Sequence, residues 1–194
     1  MNESAVCTII TKSYLPYART LASSLAKYNP DVNLYVLLAD NIDDYFDPSL
    51  EPFKFIYLED LSDPKIIEQM CFYYTPFELC CGLRGLLHEY MLEKTDVQKW
   101  LFLDSDIMVC NSLTVIFNQL ENSSILLTPH VSTPADNNYA DPDCEITYLK
   151  SGLYNAGFLG LRRTDTSKKF ISWFKDRLRS FSFHDYASKD YISR

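Results

Sequence analysis

The sequence predicts an α/β domain: a mostly parallel sheet flanked by helices. Three observations lead there. Short apolar, β-branched runs recur along the chain. Segments of helical period stand between them, joined by short links. One apolar run ends in a pair of carboxylates, where ligands of open parallel sheets bind.

The first strand is Ala5–Ile10, a short, largely apolar and β-branched run of the kind buried on both faces. In the segment that follows, Ala18, Leu21, Ala22 and Leu25 recur at i, i+3, i+4 and i+7, the stripe of an amphipathic helix. Ser13 is placed to cap it, Pro16 is tolerable in its first turn, and Asn29-Pro30 ends it. Leu34–Leu38 and Phe53–Leu58 read as the second and third strands. The clearest helix spans 75–93. Thr75 and Glu78 form a capping-box pattern with Pro76 at the first helical position, and Leu79, Cys80, Leu83, Leu86, Leu87, Tyr90 and Met91 make its stripe. Within it Gly82 and Gly85 each cost roughly 1 kcal/mol relative to Ala, which close approach of a ligand or another backbone would explain. Trp100–Leu103 is the fourth strand and Ile125–Thr128 the fifth; Tyr154–Leu161 is again strand-like, and Phe170, Trp173, Phe174 and Leu178 mark a last amphipathic helix. Residues 129–150 form a long polar loop, a length that inside a domain accompanies function.

Composition narrows the partners. With 194 residues, 47% apolar and 23% charged, the chain is sized for one globular domain. A formal net charge of −8 repels polyanions, so nucleic acid is not expected as a partner. No signal peptide and no run as long as a membrane span is visible. The six cysteines form no C-x-x-C pair, and free thiols in a reducing cytoplasm are the expectation. Cys80 and Cys81 read as packing residues.

The fourth strand runs straight into Asp104-Ser105-Asp106. Two carboxylates so close repel, and one tends to keep its proton unless a cation is present. Mg²⁺ or Mn²⁺ prefers such hard oxygens and shares them with substrate phosphates. On a straight strand residues i and i+2 lie about 6.6 Å apart. The chain must therefore bend after Asp104 for both to reach one ion, and a small Ser105 permits it. By itself the triplet is equally a solvated turn.

Five stretches together resemble GT-A glycosyltransferases, particularly the family 8-like group of glycogenin and bacterial galactosyltransferases. They are AVCTIITKSYLPYARTLASSL, FELCCGLRGLLHEYML, KWLFLDSDIMV, LLTPH and YNAGFLGL, in the family's order over most of the chain. The resemblance implies a GT-A fold and transfer of a glycosyl unit from a nucleoside diphosphate sugar, a UDP-sugar by preference, to a carbohydrate, lipid or protein acceptor. It implies that Asp104 and Asp106 ligate Mn²⁺ or Mg²⁺ bridging the donor's phosphates, with Ser105 beside them. Thr8, Ile9, Thr11 and Tyr14 would cradle the nucleoside, Tyr14 stacking on the base. Arg84, His130, Asn155 and Gly157 would lie near the donor sugar or phosphate.

The sequence departs from the family's pattern after Phe183. A further metal ligand, often histidine, and an acidic pair are expected there, and His184 and Asp185 reproduce neither. The chain therefore reads as one domain, 1–194, lacking its C-terminal part, with the remaining ligand beyond Arg194. Family 8 likeness favours retention of configuration; an inverting enzyme would need a base, for which Asp136, Asp141 and Asp143 are candidates. Two rival readings stand. One is a non-catalytic nucleotide-sugar-binding domain. The other is a haloacid dehalogenase-type phosphatase, whose motif wants Thr or Val where Met108 stands.

Overall fold

A computed structural model of the chain describes residues 3–133, 146, 148–149 and 152–183. Its strands are β1 (Ser4–Ile10), β2 (Asn33–Leu38), β3 (Lys54–Tyr57), β4 (Lys99–Leu103), β5 (Ile125–Pro129) and β6 (Tyr154–Arg162). They form one mixed sheet in the order β3-β2-β1-β4-β6-β5. The first four run parallel. β6 inserts antiparallel between β4 and β5.

Helices cover both faces, which is why β1 is buried from Ala5 to Ile10. Ala5, Cys7 and Ile9 point to a layer with Leu83, Leu87, Met91 and Ile171. Val6 and Ile10 point the other way, to Leu15, Leu21, Leu25 and Phe117. The first layer uses α2 (Pro64–Tyr73), α3 (Pro76–Gly82), α4 (Arg84–Lys94) and α6 (Asp165–Phe181). The second uses α1 (Leu15–Tyr28) and α5 (Thr114–Gln119). Among the described residues, no helix is long and apolar enough to cross a membrane.

Two local expectations change, and two short helices appear that the sequence did not announce. Ser13 does not cap α1: a 3-10 turn over Lys12–Tyr14 comes first, so α1 starts past Ser13, whose hydroxyl meets that of Thr11 at 2.9 Å instead. The helix expected over 75–93 is two. Its capping box forms, with Glu78 Oε2 accepting from the Thr75 amide at 2.9 Å. At Leu83 the backbone tightens to φ −72°, ψ −13°, separating α3 from α4. Hydrogen bonds Leu83 N to Leu79 O and Leu87 N to Leu83 O, both 2.9 Å, run through the break, so the apolar stripe stays in register. The short helices α2 and α5 carry too little apolar stripe to be read from sequence: α2 buries only Ile67 and Met70, and α5 only Phe117.

Both helix glycines have packing reasons. A Cβ at Gly85 would lie 2.4 Å from the Lys175 Cα, so the α4 and α6 backbones nearly touch there. A Cβ at Gly82 would meet the end of Met70 at 2.7 Å.

Candidate donor site

At the carboxyl ends of β1 and β4, roofed by α3, the fold leaves a cavity of about 390 Å³. Ile9, Ile10, Thr11, Ser13 and Tyr14 form one wall; Pro76, Phe77, Cys80, Cys81 and Arg84 form another; Phe102, Asp104, Ser105 and Asp106 complete it. The volume falls in the range of small-molecule sites, and the lining mixes an apolar body with a few charged groups.

The expected bend after Asp104 is present. The Ile107 amide donates to the Asp104 carbonyl at 3.1 Å, which closes a four-residue turn. Just before it, the Asp104 amide donates to the Gly157 carbonyl at 3.0 Å, tying the motif to β6. Ser105 is buried in the turn and Asp106 is exposed. Beyond the turn, side chains of α1 and its C-cap hold the segment: Val109 N donates to Ser24 Oγ at 3.0 Å and Leu113 N to Asn29 Oδ1 at 2.7 Å.

Arg84 is the charged partner of the motif. Its Nη2 donates to Asp104 Oδ1 at 2.7 Å and its Nη1 to the Ala156 carbonyl at 2.7 Å. The guanidinium lies 4.6 Å from the centroid of the Phe102 ring. Such a planar cation, stacked and forked, fixes its carboxylate partner in direction as well as charge. Burial nevertheless pushes the Asp104 carboxyl above its usual range; Arg84 works against the shift and Asp106 adds to it. A carboxylate left in that balance is one a divalent cation would stabilise.

Behind Arg84 lies His88, one helical turn along α4 and wholly buried. Its Nδ1 accepts from the Trp100 indole at 3.1 Å, so a neutral ring carries its proton on Nε2. Burial, with the charge of Arg84 adding, lowers its pKa to about 3.

Gly157 stands between two other expected site residues. A Cβ there would fall 2.9 Å from Asp104 Oδ2 and 2.9 Å from Asn155 Oδ1, and the Gly157 amide donates to that Asn155 oxygen at 2.7 Å. Ile9, Thr11, Tyr14, Arg84, Asp104, Ser105 and Asp106 thus share one cavity; Gly157 and Asn155 are outside its lining, with Gly157 packed against Asp104. Two residues lie apart. Thr8 is fully buried, on the parity of Val6 and Ile10, and is not in the cavity wall. His130 stacks on Tyr148, centroids 5.0 Å apart, and is also outside the wall. Cys80 and Cys81, read from the sequence as packing residues, both line the cavity, and Cys80 also packs against the core as expected.

No family model matches the chain. The uncharacterized protein YfnD of Bacillus subtilis (strain 168) is 24% identical over 180 residues, covering 91% of this chain and 55% of its own. The galactosyltransferase LgtC, solved with donor and acceptor sugar analogs, superposes with a TM-score of 0.54 at 20% identity, over 89% of this chain and 65% of LgtC. Core-mannan synthase A (CmsA/Ktr4) of Aspergillus fumigatus, in an Mn/GDP form, gives 0.55 at 8% identity, over 95% of this chain and 67% of that one.

The chain has the GT-A fold.

This GT-A chain spans 55% of the length of YfnD and 65% of that of LgtC. Solved structures that share its fold are glycosyltransferases. Among the described residues of this GT-A sheet, no third His, Cys, Asp or Glu joins Asp104 and Asp106 in a metal-holding cluster. Two hard carboxylates still fit Mg²⁺ or Mn²⁺, which fill their remaining positions with water and substrate phosphate. Asp136, Asp141, Asp143, His184 and Asp185 lie outside the described residues.

Proposed function

We propose that this chain carries the donor-binding part of a metal-dependent glycosyltransferase. It would move a hexosyl unit from a nucleoside diphosphate sugar, UDP before GDP, to a carbohydrate, lipid or protein acceptor. One observation supports this above the rest: an aromatic-walled cavity at the carboxyl end of a GT-A sheet, with Asp104 and Asp106 in its lining. The free thiols suit a reducing compartment, and the cytoplasm belongs to the same proposal.

Asp104 and Asp106 would hold Mn²⁺ or Mg²⁺, which when bound neutralises charge growing on the leaving diphosphate. The chain's own residues prepare the site. Arg84 orients Asp104 through Oδ1, leaving Oδ2 directed toward the Gly157 side. Tyr14, half-exposed in the cavity lining, stacks one face on Tyr17 with centroids 5.1 Å apart and would offer the other to the base. The Asn155 side chain accepts from the Gly157 N–H close to Asp104, where its amide would lie near the donor sugar. A retaining reaction requires no separate base at the acceptor.

Calorimetric titration of UDP and GDP, with and without Mn²⁺, tests the reading on the wild type and on Asp104→Ala/Asp106→Ala. Binding should require the metal and disappear in the double variant. Metal-independent binding of equal strength in both proteins overturns it. Release of nucleoside diphosphate from a donor sugar then separates an enzyme from a binding domain, and hydrolysis of a simple phosphomonoester would restore the phosphatase.

A further inference from the structure

One wall of the cavity is a helix stripe. Phe77, Cys80, Cys81 and Arg84 fall at i, i+3, i+4 and i+7, and all four line it. The two thiols in that stripe are partly accessible and free. They differ from the other described cysteines: Cys7 is wholly buried, and Cys71 and Cys110 sit on the surface away from this cavity. Cys81 lies close enough to Arg84 and Asp104 to feel both charges. Both cysteines thus belong to the same cavity lining as the acidic motif, Cys80 also packing against the core.

We propose that Cys80 and Cys81 form a covalent-modification site inside the donor cavity, where a thiol-directed electrophile, an α,β-unsaturated carbonyl, competes with the nucleotide for the same space. The competition rests on the donor-site reading above. In the step itself the sulfur bonds to the β-carbon, the carbon–carbon double bond opens, and the thiol proton ends on the α-carbon. No oxidant is needed. A disulfide between the two is not available, because successive helix residues point about 100° apart and a disulfide wants the Cβ atoms about 3.8 Å apart. Burial raises both thiols, Cys80 to about 11, with Arg84 pulling each back. Addition is therefore slow at neutral pH and quickens as the pH rises, since the thiolate is the nucleophile.

The test uses the full chain with Cys71, Cys110 and Cys144 replaced by Ser. The protein is exposed to N-ethylmaleimide with and without UDP and Mn²⁺, followed by intact mass and peptide mapping, and UDP affinity is measured by calorimetry before and after. The adduct should map to Cys80 or Cys81. With UDP at ten times its Kd, mass action leaves about one cavity in eleven open, so labelling should slow about tenfold. The modified protein should no longer bind UDP. In Cys80→Ser/Cys81→Ser, the cavity should take no adduct, and UDP affinity should be the same before and after the reagent. Unchanged labelling in a protein that calorimetry shows to bind UDP overturns the modification site and leaves the donor site standing. So does undiminished UDP binding after full modification. Absence of UDP binding with or without Mn²⁺ overturns the donor site, and the competition with it.

Discussion

Gly85→Ala probes how Arg84 is seated, because Gly85 is where α4 touches α6. The added Cβ would lie 2.4 Å from the Lys175 Cα, 2.8 Å from its N and 3.0 Å from its Cβ. Unstrained carbon contacts sit at about 3.5–4.0 Å, so the two helices must part by on the order of 1 Å. The obstructing atoms are mostly main chain, and no rotamer change relieves them. Overpacking of this kind costs about 1–3 kcal/mol, and backbone against backbone belongs at the upper end. Replacing a helical glycine returns about 1 kcal/mol, which leaves a net loss of about 2 kcal/mol. For a domain this size that is a fall in Tm of about 4–8 °C. Gly82→Ala is the control. Its new Cβ meets the flexible end of Met70 at 2.7 Å and Tyr74 at 3.3 Å, and Met can move aside. Its Tm should stay within about 3 °C of wild type, the helix gain offsetting the contact. Thermal and urea unfolding of the three proteins decides it. A Gly85→Ala protein as stable as wild type, or less affected than Gly82→Ala, refutes the close-packing account of this glycine.

Two further predictions concern the site. In Gly157→Ala the new methyl would crowd Asp104 Oδ2 and Asn155 Oδ1, each at 2.9 Å, without touching the core. Mn²⁺-dependent UDP affinity should fall about tenfold, or about 1.4 kcal/mol, with little change in Tm; equal affinity in the two proteins would remove Gly157 from the site. Asp104→Asn tests the strain on the motif. The folded protein raises the Asp104 carboxyl above its usual range, so ionisation of this group costs stability once the pH has risen through the folded value. The Asn variant should therefore be the more stable metal-free protein at neutral pH. Its advantage should shrink as the pH is lowered to below the ordinary carboxylate range, where wild-type Asp104 is protonated in both folded and unfolded states. Equal or lower stability of the variant at neutral pH would show that the Arg84 ion pair outweighs burial.

The sequence by itself determined the strands, the two-faced burial of β1, the capping box at Thr75, and Asp104-Ser105-Asp106 at a strand end. These are local or periodic signals, carried by side-chain polarity and by residues a few positions apart. It did not determine that β6 runs antiparallel between β4 and β5, since a strand's period is the same in either direction. Nor did it show that the 75–93 segment tightens at Leu83, because the apolar stripe continues through the break. The environments of the site residues also waited for the fold. The same residue types could have put Arg84 on the surface, Thr8 in the cavity and Cys81 away from it. Only the approach of segments far apart in sequence, β4 to β6 and α4 to α6, sets Arg84 against Asp104, turns Thr8 away and leaves Cys80 and Cys81 on the cavity wall. Such approaches are decided by the sum of long-range packing, and no window of neighbouring residues contains it.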